Sequence, residues 1–491
     1  MTTITRIISR ALILAMTRIV TIGGEQMPVL IRGRRLRAWV SAALVAVSLT
    51  RVVGGSVGVW QWVAVYDVQG NAAGWAAAPD GSRVYVAGET ALTNNVDIAV
   101  LGLDHTGGVA WVDVRGSVGA DSATGIGLDS SGYVYVSGVC AAGFDAQGAV
   151  GSGDYVLVSY DTLGGWRWTR IYGTPAYDAA LGMSVGGDGI VYVVGATEDR
   201  FGSSPRGGAS DLFLAAHATD GAQLWAVSRG SATDDWATAV IQAGGFVYVG
   251  GVTLGSLDGG PTYGGMDGFV MCFRTNGTWQ WTRQFGTNEN DVLSRLWLGD
   301  DGRLYAVGGT YGEVAGAGRG RDMFVVRITT NGVVEYFRAI GTTSDDAGLA
   351  VQAVGGVLHV AGWTYGTFTG ATSSGGADFV MVQCTTGAVV QSADQAGTGG
   401  DDIGVGAGAY FAATVFAGVT PASTPGSFRV VAGSYVIPEA GWAGVLLVVA
   451  LLAGMRWRGR MAHGVFVLAL LAVWCEGVVH AAAIEEYTSV R

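Results

Sequence analysis

No lysine occurs anywhere in the 491 residues, so all 28 basic side chains are arginines. Proline is scarce too, at 8 residues against 82 glycines, while Trp and Tyr are plentiful at 16 and 18. That balance excludes a proline-rich disordered chain and suits many short strands joined by tight turns. Only four cysteines are present (Cys140, Cys272, Cys384 and Cys475), with no CxxC pair and no regular spacing. Neither a disulfide framework nor a zinc site follows from them. Positive charge is nearly missing from the centre: residues 52–435 hold 16 arginines and 34 acids, a net charge of −18. Such a surface repels nucleic acid and anionic lipid. It serves either as a solubilising shell or as an attractor of cations.

Long apolar runs are confined to the ends. IRGRRLR (31–37) precedes AWVSAALVAVSL (38–49), a basic stretch and a 12-residue apolar core that together read as a secretory signal, with a short anchor as the alternative. Met27 is a candidate start for that segment. Near the other end, VIPEAG (436–441) leads into GWAGVLLVVALLAGM (441–455) and RWRGR (456–460). As a helix the 15 apolar residues cover roughly 22 Å, against about 30 Å of hydrocarbon, and the flanking side chains extend the span by snorkelling. Arg456, Arg458 and Arg460 are expected to stay cytoplasmic, which puts everything upstream outside. With Pro438 and Glu439 ahead of them, these parts resemble the PEP-CTERM sorting signal, although Ala440 stands where a second proline is expected. The resemblance implies export, transient or lasting membrane attachment and handling by a sorting enzyme. Residues 461–491 carry GVFVLALLAVWC (464–475), read as a second signal-like segment from a fused reading frame or as a second anchor.

Between the ends the sequence repeats. RVYVAG (83–88), YVYVSG (133–138), IVYVVG (190–195), FVYVGG (246–251), RLYAVG (303–308), VLHVAG (357–362) and TVFAG (414–418) are seven copies of one strand. Their closing glycines step by roughly 50 to 57 residues. A strand opening with Asp follows most copies (Asp97, Asp154, Asp211, Asp267, Asp322, Asp378), then an aromatic strand around Trp111, Trp168, Trp225, Trp281 and Phe337. An acidic step comes next, at Asp121, Asp178, Asp235, Asp291, Asp346 and Asp402. Apolar alternation with DG, GG and NG turns predicts four strands per unit. The expected fold is therefore all-β: a seven-bladed β-propeller of four-stranded antiparallel blades, with short hydrophobic helices at the termini. The repeats resemble the bacterial seven-bladed β-propeller (SBBP) family over residues 58–433. Residues 1–57 form the leader region, 434–460 the sorting tail and 461–491 the second hydrophobic segment. VWQWVAVYD (59–67) lacks a partner strand that SFRVVAG (427–433) supplies, so pairing of the two chain ends is expected to close the ring and remove its bare edges.

Naming the strands of each unit A to D from the axis outward, the long B–C loops and both Asp columns fall on one face. Variable loops on a rigid scaffold are the usual place for recognition. Asp121, Asp178, Asp235, Asp291, Asp346 and Asp402 form either a cation-binding rim, with Ca²⁺ the expected ion, or a set of acceptors each bonded within its own turn. Tryptophans in phase with the repeat indicate packing between blades. Apparent catalytic signatures lack their contexts: GMSVG (182–186) lies in a strand, and His105, His217 and His359 occupy unrelated repeat positions. NGT (276–278) reads as a hairpin turn. The chain is thus expected to be a monomeric, non-enzymatic binding or scaffold protein without a resident cofactor, whose partner is an extracellular protein or polysaccharide. The alternative is a polysaccharide lyase or glycosidase at the channel mouth, drawing on the singular residues Glu198, Arg200, Glu313 and Arg319.

Overall fold

The computed structural model describes the backbone of residues 59–436, except 67–71, 80–82, 91–94, 105–107, 146, 203–206, 315–319, 398–402, 411–412 and 422–427. Side chains are described from residue 83 to 397 outside those stretches and residue 354. The leader, Pro438, Glu439, Arg456, Arg458, Arg460 and the second hydrophobic segment lie outside the described residues.

Twenty-eight strands follow one another, and among the described residues the single helical element is the three-residue turn Leu257–Gly259. Four strands at a time form an antiparallel meander: β2–β5 over residues 72–115, β6–β9 over 121–172, β10–β13 over 178–229, β14–β17 over 235–285, β18–β21 over 291–340 and β22–β25 over 346–396. The first strand of each meander contacts the first strands of its neighbours, so these strands surround the axis and the fourth strands form the rim. Burial follows that arrangement. Second and third strands such as Val191–Thr197 and Asp211–His217 are buried throughout, because sheets cover both faces, while outer strands such as Gln223–Arg229 are mostly half-exposed.

The expectation of seven blades is corrected to six, and the short terminal helices expected with them fall outside the described residues. The seventh copy of the repeat, TVFAG, sits in a sheet of a different kind. β1 (Val59–Tyr66), β26 (Ile403–Tyr410), β27 (Ala413–Pro421) and β28 (Phe428–Val436) hydrogen-bond in the order β1-β28-β27-β26, a composite of both chain ends. Its innermost strand, IGVGAGAY, is mostly glycine and alanine, and β28 opens on Phe428 where the blades' third strands open on Asp. The carboxylate that organises each blade is therefore missing from this position. The predicted pairing of the ends is present, with Val59 opposite Val436 and Tyr66 opposite Val430. β26 lies against β2 and β22, between the first and sixth blades.

Two features hold adjacent blades together. Trp168 Nε1 donates to Thr219 O (3.3 Å) and Trp225 Nε1 to Thr275 O (3.1 Å), each in the next blade's C–D turn. Those turns end in a glycine, and Gly277 (φ 83°) shows why: a Cβ there would be strained and would meet the Trp225 ring at 3.0 Å. The tryptophans thus fill blade seams, as their phase indicates. Innermost strands also share a bulge at one level, between Ala123 and Gly125, Ala180 and Gly182, Ala237 and Ala239, Leu293 and Arg295, and Gly348 and Ala350.

Candidate binding face

Each blade joint contains the same turn, a glycine, a Ser or Thr, three further residues and an Asp: Gly116–Asp121, Gly173–Asp178, Gly230–Asp235, Gly286–Asp291 and Gly341–Asp346. The Asp accepts from the backbone N–H and the hydroxyl of the Ser or Thr four residues earlier. Thr174 N and Oγ1 lie 2.5 and 2.8 Å from Asp178 Oδ2, and Thr342 N and Oγ1 lie 2.6 and 3.0 Å from Asp346 Oδ2. Ser231 binds Asp235, and Thr287 binds Asp291, in the same way. Ser117 N and Oγ both donate to Asp121. The Asp column was legible in the sequence, and the Gly-Ser/Thr element five and four residues before it, which repeats in phase, is the signal that was missed.

The second Asp column pins the B–C loops. Asp154 accepts from Val150 N (2.8 Å) and Gly151 N (3.0 Å), and Asp211 from Gly207 N (2.9 Å) and Gly208 N (3.1 Å). Asp267 accepts from Tyr263 N (2.9 Å) and Gln284 Nε2 (2.8 Å). The two columns meet at the joint glycine. A Cβ on Gly230 would stand 2.1 Å from Asp211 Oδ1 and 2.9 Å from Asp235 Oδ2. Burial, opposed by the turn's hydrogen bonds and reinforced by the neighbouring carboxylate, pushes Asp121 and Asp346 up to about 6 and raises Asp178, Asp235 and Asp291. Asp121, Asp178, Asp235, Asp291 and Asp346 are all buried, whereas Asp402 lies outside the described residues. No group of three or more His, Cys, Asp or Glu side chains suited to a metal occurs among the described residues.

Exposed apolar side chains on the loop-rich face include four tyrosines, beside Val118, Val150 and Leu254, from connections that differ between blades. Tyr177 (39 % exposed) comes from a D–A turn, and Tyr263 (45 %), Tyr311 (51 %) and Tyr365 (44 %) come from B–C loops. Tyr365 meets the Trp363 ring edge-on at 5.6 Å. Between them stands Arg321, its guanidinium carbon 5.8 Å from the Tyr311 ring centre and 5.6 Å from that of Trp363. Its backbone N–H donates to Asp345 Oδ1 (2.9 Å), while its buried Nε has no partner among the described residues. These residues sit in or beside variable loops, so no sequence period shared by all blades marks them.

The catalytic-looking residues are not brought together. Ser184 pairs with Tyr192 inside a regular ladder, so no nucleophile elbow exists there. His217 is buried with Nε2 3.2 Å from the Tyr155 hydroxyl, and burial pushes it down to about 3. His359 is likewise buried and pushed down to about 4, and His105 lies outside the described residues. Among the described residues no hydrogen bond or ion pair joins Glu198, Arg200 and Glu313 to one another, and Arg319 lies outside them. Cys140, Cys272 and Cys384 are free and buried, their thiols pushed up to about 12 by burial. Asn276 accepts from Thr278 N (3.1 Å) in the expected hairpin turn.

No family model matches the chain. A curated relative, regulatory protein FlaEY of Caulobacter vibrioides, is 27 % identical over 247 residues, 47 % of this chain. The chain spans about a quarter of that relative's length (24 %). Among solved structures, Sqt1 of Chaetomium thermophilum is 9 % identical, covering 76 % of this chain and 97 % of that one with a TM-score of 0.42. The Pyrococcus horikoshii acylaminoacyl peptidase is 10 % identical, covering 73 % and 52 % with a TM-score of 0.40. Trypanosoma rangeli sialidase is 10 % identical, covering 84 % and 61 % with a TM-score of 0.39. Likeness at this level assigns none of their activities to the chain. No helix among the described residues is long and apolar enough to cross a membrane.

Proposed function

We propose that this protein is an exported, envelope-anchored, non-enzymatic propeller that binds extracellular polysaccharide through its loop-rich face. The observation that carries the reading is how side chains divide on that face. The acids that recur from blade to blade are buried and bonded within their own turns, whereas the groups turned to solvent include Tyr177, Tyr263, Tyr311 and Tyr365. Exposed rings held on a rigid scaffold offer flat apolar surfaces with a polar edge, which suits stacking against sugar rings. Export and anchoring rest on the basic-apolar leader and on the tail with Pro438, Glu439 and Arg456, Arg458 and Arg460, through their resemblance to a signal peptide and a PEP-CTERM signal. The repeats' resemblance to the SBBP family supports a surface role by analogy alone.

The test is a glycan and metal-ion binding screen on the full chain, repeated with a Tyr311→Ala/Tyr365→Ala variant. We expect polysaccharide binding without a Ca²⁺ requirement, at least tenfold weaker in the variant at an unchanged Tm. Equal binding by the variant would remove this face from the reading. Release of new reducing ends or unsaturated sugars would replace binding with the enzymatic alternative.

A further inference from the structure

Repeated residues in a propeller build the blade, so a charged residue present in one blade alone needs its own explanation. Arg295 is such a residue. It follows the bulge of the innermost strand β18 (Asp291–Leu298), where the equivalent positions of other blades hold Gly125, Gly182, Ala239 and Ala350. Small residues at this level match close packing against the neighbouring blade, where a Cβ on Gly182 would stand 2.5 Å from Thr238 O. Arg295 Nη1 donates to Ser294 O (3.0 Å) and, across the blade joint, to Thr238 O (3.3 Å). Thr238 Oγ1 in turn donates to Leu293 O (2.8 Å), which fixes that carbonyl's blade against β18. These carbonyls hold one end of the guanidinium. Among the described residues its Nε and Nη2 meet no acceptor, and no carboxylate forms an ion pair with it. Burial works against its charge with no opposing charge to offset it.

We propose that Arg295 is an anion-binding site in the central channel, taking a small oxyanion such as a carboxylate, sulfate or phosphate. The Nε–Nη2 edge of a guanidinium presents two parallel N–H groups that match two oxygens of one such group. A half-buried cation with no ion-pair partner among the described residues gains from a bound anion that supplies one. The site is separate from the tyrosine face and does not depend on it.

The experiment is thermal unfolding of the full chain in a chloride buffer of constant ionic strength, titrated separately with sulfate, phosphate and glucuronate. We expect a saturable rise in Tm of several degrees for the wild type. In Arg295→Met the anion-dependent shift is expected to vanish, while the Tm without oxyanion is equal to or above that of the wild type. A shift with glucuronate alone assigns the site to a sugar carboxylate, and a shift with sulfate or phosphate assigns it to a free oxyanion. Equal shifts in both proteins, no shift with any anion, or a lower baseline Tm in Arg295→Met would overturn the proposal, the last by marking Arg295 as a structural bridge between blades. Arg295→Lys covers the case in which the Met variant does not fold: it keeps the charge without the fork, and a response as large as the wild type's would equally overturn the proposal. Polysaccharide binding on the tyrosine face is expected to be the same in the wild type and in Arg295→Met, which separates this proposal's failure from that of the other.

Discussion

Asp346 shows what burial does to a single carboxyl in this fold. It is fully covered, accepts both donors of Thr342, stands near Asp322 and titrates at about 6. The unfolded chain releases the same proton near 4. The folded form therefore binds the proton more tightly, and this group's contribution to stability is greatest at low pH and is lost as pH rises from about 4 through about 6. His217 has the opposite sign: its folded pKa of about 3 lies below the unfolded 6.5, so its contribution is complete above 6.5 and lost as pH falls towards 3. Because the two oppose each other, the wild type's pH profile does not isolate either, and a paired comparison does. Asp346→Asn removes one titration and keeps an acceptor for Thr342. Its deficit against the wild type is expected to be larger at pH 4.5 than at pH 7.5 by about 1–2 kcal/mol, less than the full linkage because pH 4.5 already lies above the unfolded carboxyl's pKa. Urea unfolding at both values measures this, and a pH-independent difference between the proteins would refute it.

At the scale of the element, the blade joint depends on a glycine more than on its acids. At Gly230 a methyl group would meet one carboxylate oxygen from each of two adjacent blades. Gly230→Ala is expected to cost about 1–3 kcal/mol, the range for overpacking a filled interior. The exposed Gly148, with nothing within 4 Å of its missing Cβ, provides the control, and Gly148→Ala is expected to change stability by less than about 0.5 kcal/mol. Equal denaturation midpoints for the two variants would contradict the joint as described. The Asp column was legible in the sequence because it recurs in register with the strands. The bulges were not, since a bulge follows from how innermost strands crowd around an axis and no residue type marks it: the inserted positions hold Thr124, Leu181, Thr238, Ser294 and Leu349. The tyrosine arc escaped notice for a related reason, because which ring in a variable loop faces solvent depends on that loop's path.

For the whole molecule, closure rests on strands from opposite ends of the chain. β28 pairs with both β1 and β27, so removing residues 428–436 would leave β1 without a partner and expose an edge of β27. The truncated chain is expected to melt at least about 10 °C lower and to aggregate on heating, and an unchanged Tm would show that the composite sheet contributes nothing to closure. Repeat phase, four strands per unit and pairing of the chain ends were all determined by the sequence itself, since hydrophobic alternation and turn chemistry are local and recur. Only the tertiary structure decided that six blades share one construction, because a count of motifs does not register how each sheet is assembled. It also decided that Asp121, Asp178, Asp235, Asp291 and Asp346 are interior joints and that Arg295 has no ion-pair partner among the described residues. Each of those depends on which side chains from distant repeats come within hydrogen-bonding reach, and strand period alone does not encode such distances.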